Sequence, residues 1–283
     1  STRRAPEPTA ATAGRRRGPG GERVFMQPPP GSRTPRRVRR GPYARRVRRG
    51  VRDATVPPMA GSPAEGIVRF EVEHVTRPLE ERVYGRAAHA LAAWREILAR
   101  LGLLGQDPAR YGGAGYGNVS ARLGPFGDVP RGRRRFLVTG TGTGDRREVG
   151  LADFCVVEEY DPERNRVRSA GAVEPSSESL THGALYDVAP AARAVLHAHA
   201  PELWRAARRL GLPATSAGAR QGTPELAREV QRLYRETALP SLGILVMGGH
   251  EDGVLAFGAS LEEAGGILVR QLGRALAGED AAR

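Results

Sequence analysis

Two histidines spaced two residues apart directly follow a short apolar segment, and this pattern constrains the fold more than any other. Residues 194–196 read Ala-Val-Leu, which is typical of a buried strand, and they run into His197 and His199. Alternate residues of a strand point to the same face, so the two imidazoles lie on one face, roughly 6–7 Å apart. Side chains in this arrangement can converge on one cation.

A His-x-His pair is a weak motif when taken alone, because such pairs also occur without a metal. However, burying a polar ring without a partner costs about 1–3 kcal/mol. Something must therefore satisfy the nitrogens of His197 and His199, and a metal ion is one candidate. The rest of the chain has to decide between these interpretations.

A carboxylate lies upstream of the histidine pair, at Glu178 in the sequence Ser176-Ser177-Glu178. The residues that follow predict a helix that is capped by a serine and stopped by Pro190. This helix leads into the histidine strand and carries hydroxyls and a carboxylate in its first turn. The arrangement predicts a metal site beside a polar substrate pocket.

The third candidate ligand is His250, on a predicted turn between apolar strands at residues 242–247 and 254–257. Three imidazole ligands leave one position of a zinc ion open for water or substrate. In this interpretation Glu178 is a fourth ligand without substrate and a general acid/base with it.

Two glycine-rich segments have the composition of anion-binding loops. Residues 111–117 read YGGAGYG and are followed by Asn118; residues 139–144 read TGTGTG and follow a predicted strand at 136–138. Glycine lets the backbone approach a ligand closely and exposes N–H groups, which suits a phosphate. Each loop can equally be a tight turn, and the spacing is not that of a P-loop.

The net positive charge of the chain comes from its first 60 residues, because basic and acidic residues balance in the rest. This segment holds 16 Arg against three acids, which accounts for the whole formal net charge of +13. High like charge and few large apolar residues predict that residues 1–62 are disordered. They are either an arginine arm that binds phosphates non-specifically or, as we favour, sequence that precedes a true start at Met59. We expect no nucleic-acid binding outside this segment.

The chain holds a single cysteine, Cys155, so an intrachain disulfide is excluded and a reducing compartment is expected. No apolar run approaches the roughly 20 residues of a membrane span. We therefore predict a cytoplasmic protein without a membrane contact.

The order of the predicted elements indicates one α/β domain at residues 63–283. Short strands alternate with predicted helices at residues 78–103, 201–210, 223–234 and 261–277. Residues 67–75 predict a further strand or an extended arm.

Taken together and in order, these motifs resemble the class II aldolase/adducin family over residues 75–277. The resemblance depends on GNVS at 117–120, TGTG at 141–144, PSSE at 175–178 with His182, HAH at 197–199, His250, and LEEA at 261–264.

The resemblance implies a three-layer domain with a mostly antiparallel central sheet flanked by helices. It implies that His197, His199 and His250 are metal ligands for Zn²⁺ or another divalent ion, and that Glu178 is the catalytic acid/base. The residues implied to cradle a substrate phosphate are Asn118, Thr141, Gly142, Ser176 and Ser177. The implied activity is a lyase that acts through an enediolate on a small phosphorylated or carboxylated hydroxy-ketone, in a homotetramer.

The sequence departs from the family pattern at two places. His250 is followed by Glu251, Asp252 and only then Gly253, where the family has a glycine next; these two acids are an added ligand, outer partners of the site or a longer turn, and we favour the last two. The segment 210–224 also lacks the catalytic tyrosine of family aldolases. Dehydration, epimerisation and decarboxylation therefore stay open, as does a non-catalytic, adducin-like binding role.

Overall fold

The structure is a computed structural model, and it describes residues 70–281. The predicted disordered segment, 1–62, and the predicted first residues of the domain, 63–69, lie outside this range. Cys155 is buried.

Ten strands and six helices are present in the described range. The strands are β1 Glu71–Thr76, β2 Gly105–Gln106, β3 Gly115–Tyr116, β4 Asn118–Arg122, β5 Phe136–Thr139, β6 Phe154–Asp161, β7 Arg166–Gly171, β8 Ala194–His199, β9 Ile244–Val246 and β10 Gly253–Gly258. The helices are α1 Glu81–Arg100, α2 Ser179–Val188, α3 Pro201–Ala206, α4 Pro224–Glu236, α5 Leu239–Leu242 and α6 Leu261–Ala277. None of these helices combines the length and apolar character needed to cross a bilayer.

Eight of the strands form one mixed sheet in the order β1-β7-β6-β5-β4-β8-β10-β9. Only the β1–β7 pair is parallel; the other neighbours in this sheet run antiparallel. The predicted mostly antiparallel sheet is thus confirmed. Of the predicted strand or arm at 67–75, residues 71–75 belong to the edge strand β1, and residues 67–69 lie outside the described range. β2 and β3 form a separate two-stranded ribbon.

Helices cover both faces of the sheet and produce three layers. Leu196 and Ala198 of β8 belong to an apolar cluster that also contains residues of three helices, α1, α3 and α6. Val195 belongs to a second cluster with residues of α2 and α4. Because side chains alternate along a strand, His197 and His199 lie on the same face as Val195, towards α2 and α4.

Several predicted element boundaries differ from the structure. The predicted serine cap of α2 is wrong: the N-cap residue is Glu178, and no side chain caps the helix there. The predicted strand at 242–247 is shortened to β9 because α5 precedes it. Pro240 suits the first turn of that helix, and Gly243, at φ 65°, ends it in the left-handed conformation that glycine adopts most easily.

Candidate metal and substrate site

The three predicted histidine ligands meet at one point in the fold. Each of His197, His199 and His250 offers a nitrogen, and these atoms all lie within 4.8 Å of one another. All three side chains are buried. The convergence results from strand pairing: β10 runs antiparallel to β8 with Gly253 opposite His199, so the turn before β10 carries His250 to the end of β8.

The geometry of the nitrogens fits a divalent cation. Nε2 of His199 and Nε2 of His250 are 2.9 Å apart, close to the roughly 3.3 Å between two nitrogens bound at 2.0–2.1 Å to a tetrahedral zinc ion. Nδ1 of His197 lies 3.1 Å from the carbonyl oxygen of Val254. A carbonyl only accepts hydrogen bonds, so Nδ1 carries the hydrogen and Nε2 is the nitrogen with a basic electron pair.

Glu178 is completely buried at the start of α2. The hydroxyl of Thr181 donates to its Oε2 at 2.8 Å. One helical turn later, Nδ1 of His182 lies 2.8 Å from Oγ of Ser120 on β4. His182 therefore faces β4.

Asn118 lies next to the histidine strand. It lies two residues before Ser120 and therefore on the same face of β4. Since Ser120 contacts His182, this is the face of β4 that meets α2. Asn118 is also directly opposite His197 in the β4–β8 register.

The segments predicted to hold a phosphate lie next to each other. The backbone N–H of Ser176 donates to the carbonyl of Thr139 at 3.3 Å, and that of Thr141 donates to the carbonyl of Glu174 at 2.9 Å. Val119, in turn, donates its N–H to the hydroxyl of Thr139 at 3.2 Å. Loops 140–143 and 174–177 and the start of β4 therefore form one polar surface.

The individual groups on this surface differ in what they can offer an anion. Gly142 is exposed, has a φ of 67°, and has open space where a side chain would be, so its backbone can approach a ligand. The N–H of Thr141 is already hydrogen-bonded, which leaves its hydroxyl. Ser176 and Ser177 are buried at the start of α2.

The two tyrosines of the first glycine-rich loop contact a candidate ligand. The rings of Tyr111 and Tyr116 lie 4.6 Å and 5.4 Å from the ring of His199, centroid to centroid. Gly115 serves packing, because a Cβ on it would lie 3.3 Å from Cα of Gly144 in the second loop, whereas Gly112 has open space where a side chain would be. The sequence interpretation missed these tyrosines, although their position flanking the glycines was a visible signal.

The acids that follow His250 also have defined places. Glu251 is exposed, whereas Asp252 is buried and its Oδ2 accepts a 2.8 Å hydrogen bond from the hydroxyl of Tyr111. Burial and this hydrogen bond raise the pKa of Tyr111, against a lowering contribution from Arg110. Within residues 70–281, the group of side chains placed to bind a metal consists of the three histidines. Asp252 is thus an outer partner of the site.

Comparison with known proteins agrees with this architecture. A family model described as the class II aldolase and adducin N-terminal domain matches residues 107–270, which is more than half of the chain. No curated protein matches the sequence.

Similar solved structures share the fold. YgbL from Klebsiella pneumoniae has a TM-score of 0.50 at 19% identity, over 70% of this chain and 89% of that chain. YgbL from Escherichia coli has a TM-score of 0.51 at 17% identity, over 69% and 89%. A sugar-phosphate aldolase from Thermotoga maritima has a TM-score of 0.50 at 16% identity, over 68% and 93%.

Proposed function

The chain belongs to the class II aldolase and adducin family, and from that membership we propose that it is a metal-dependent lyase acting on a small hydroxy-ketone. The proposed substrate class is a sugar phosphate, and the proposed metal is Zn²⁺. The observation that carries the proposal is the convergence of three buried imidazoles within 4.8 Å. A scaffold protein with no metal to bind has no need to bury three such rings together.

The three histidines are proposed as the ligands of the cation. A bound divalent cation would supply positive charge to a carbonyl and an adjacent hydroxyl, and would thereby stabilise the enediolate that retro-aldol cleavage, dehydration and decarboxylation share. The Nδ1–H of His197, held by the carbonyl of Val254, fixes the ring so that Nε2 faces the metal position.

Glu178 is proposed to move the proton. It is completely buried at the start of α2, and a carboxylate away from bulk water is suited to accept and return a proton at a substrate carbon. The hydroxyl of Thr181 donates to its Oε2 and holds the carboxylate in place.

The polar surface formed by loops 140–143 and 174–177 is proposed to bind the far end of the substrate. Gly142 would offer its backbone N–H, while Thr141, Ser176 and Ser177 would offer hydroxyls and Asn118 its amide. Fixing the phosphate at this surface would place the reacting carbons near Glu178, and such positioning can lower a reaction barrier by several kcal/mol, up to about 7–11.

The proposal is tested by measuring metal content and turnover together. Elemental analysis of the full chain is expected to give zinc or another divalent metal at stoichiometric amount. The metal-replete protein is then screened against sugar phosphates and hydroxy-ketones, with products followed by NMR so that cleavage, dehydration, epimerisation and decarboxylation are told apart. A metal-free protein of full stability without turnover would favour the non-catalytic, adducin-like role instead.

A further inference from the structure

We propose that four residues outside the ligand set position His199 for metal binding. They form what we call the tyrosine clasp: Arg110, Tyr111, Tyr116 and Asp252. The inference rests on the proposed function in one respect, namely that the three histidines bind a divalent cation. It adds a role for the loop before β4 and for the acid that follows the third histidine.

The aromatic part of the clasp confines the ring of His199. The Tyr111 ring meets it at 4.6 Å with an interplanar angle of 68°, and the Tyr116 ring meets it at 5.4 Å and 52°. The two tyrosine rings also contact each other at 5.1 Å. An imidazole packed against two large, mutually packed rings has little freedom to turn, so the direction of its Nε2 is set.

Hydrogen bonds fix the tyrosines in turn. The hydroxyl of Tyr111 donates to Oδ2 of Asp252 at 2.8 Å and accepts from Nη2 of Arg110 at 2.8 Å. Nη1 of Arg110 donates to the hydroxyl of Tyr116 at 3.0 Å. The guanidinium also lies over both rings, 5.0 Å and 4.5 Å from their centroids. Arg110 therefore holds both phenols at once.

Tyr111 and Asp252 both have an unusual backbone conformation. Only three non-glycine residues in the range 70–281 have a positive φ: Tyr111 at 49°, Asn165 at 53° and Asp252 at 60°. Two of these three are hydrogen-bonded to each other. Such a conformation is unfavourable for a tyrosine, and it persists where the surrounding contacts determine it.

Asp252 also connects the end of β8, which carries His199, to the turn that carries His250. Its carbonyl accepts a 2.9 Å hydrogen bond from the N–H of Ala200, the residue after His199. It lies two residues after His250 on the same turn. The clasp thus connects the Tyr111 loop, the end of β8 and the turn of His250, and it gives a physical reason for the longer turn at this place.

Outer partners of this kind act on a metal site through its ligands, and their loss typically weakens metal affinity by about 10–100-fold. The test uses the full chain and measures Zn²⁺ affinity by competition with a chelator. It also records the visible spectrum of the Co²⁺-loaded protein, which reports ligand geometry. Tyr111→Leu removes ring and hydroxyl, Asp252→Ala removes the acceptor, and Asp252→Asn keeps an acceptor oxygen at a residue type that tolerates positive φ.

We expect Tyr111→Leu and Asp252→Ala to weaken zinc binding by about 10–100-fold and to alter the Co²⁺ spectrum. Asp252→Asn is expected to stay within about threefold of the wild type, because the hydrogen bond is retained. The control is Tyr234→Leu, which removes a tyrosine packed on Phe257 of β10 and is expected to leave zinc affinity unchanged. If Tyr111→Leu fails to fold, Tyr111→Phe keeps the ring, loses both hydrogen bonds and is expected to weaken binding several-fold.

Different outcomes would contradict the clasp and the proposed function. Wild-type zinc affinity and an unchanged Co²⁺ spectrum in the Tyr111 and Asp252→Ala variants would overturn the clasp and leave the metal site intact. Absence of zinc binding in the wild-type chain would overturn the proposed function and the clasp together, and it is seen before any variant is made.

Discussion

The imidazole of His182 is tied to Ser120 by a buried contact of 2.8 Å between Nδ1 and Oγ. The same serine oxygen lies 2.9 Å from the hydroxyl of Tyr186, so helix α2 is attached to β4 at two points. The Nε2 of His182 is buried and has no hydrogen-bond partner within residues 70–281. A second proton on this ring would therefore be buried without a hydrogen-bond acceptor.

The environment of His182 predicts how stability changes with acidity. Burial lowers the pKa of His182 to about 3, whereas the unfolded chain takes up the proton near 6.5. The unfolded state thus binds more protons between these values, and stability present above pH 6.5 is lost as the pH falls through the window, by at most about 1.4 kcal/mol per pH unit. Urea unfolding of metal-free protein between pH 7.5 and 5 measures this slope.

The matching variant is His182→Gln, which is expected to reduce the dependence of the free energy of unfolding on pH. Loss of the Ser120 contact is expected to lower stability at every pH. His89→Gln serves as control, because His89 lies on α1 with 79% of its side chain exposed. Equal slopes for wild type and His182→Gln would show that His182 is not the group responsible.

Glu178→Gln is expected to retain metal and to reduce kcat by about 10²–10⁴-fold, because the amide keeps the shape of the carboxylate and cannot accept the proton. Metal content and turnover of the same preparation provide the measurement. Glu251→Gln makes the same chemical change on an exposed side chain next to His250 and is expected to retain activity. Undiminished turnover in Glu178→Gln would exclude the acid/base role.

His199→Ala is expected to lose stoichiometric metal, since two imidazoles from different segments bind a divalent ion far more weakly than three. Elemental analysis after dialysis measures the loss, and His89→Ala is the control in which one exposed histidine is removed. Full metal occupancy in His199→Ala would show that His199 is not a ligand.

Gly144→Ala is expected to destabilise the fold by about 1–3 kcal/mol through overpacking. A Cβ at this position would lie 2.7 Å from Cα of Gly115 and 2.8 Å from the carbonyl oxygen of Gly105, both of them backbone atoms that cannot move aside alone. Thermal unfolding measures the effect. Gly150→Ala, where nothing lies within 4 Å of the new Cβ, is the control, and equal stability of the two variants would contradict the packing argument.

The parts of the site that follow local rules could be predicted from the sequence. His197 and His199 share a face because the strand period is two, and Leu196 and Ala198 fill the other face as alternation requires. His250 was proposed as a ligand from its place on a turn between apolar strands and from the family resemblance, and the antiparallel pairing of β8 with β10 brings it to the end of β8.

Contacts between distant segments could not be predicted. The bond between Tyr111 and Asp252 joins residues 141 positions apart, and no periodicity links them. The glycines at 115 and 144 favoured an anion site by composition, but tight packing between two loops requires the same residue type. Leu242 and Gly243 were predicted to be part of an apolar strand because of their hydropathy, whereas Leu242 ends α5 and Gly243 is its C-cap.

The turn of His250 is held against the end of the histidine strand by the pairing of β10 with β8 and by the hydrogen bond from the N–H of Ala200 to the carbonyl of Asp252. A nascent chain that has not yet emerged beyond residue 258 therefore has no complete metal site, whatever the order in which its earlier strands assemble. Metal uptake would accordingly be a late event in biosynthesis, and a proteolytic fragment ending before β10 would be unable to hold the ion.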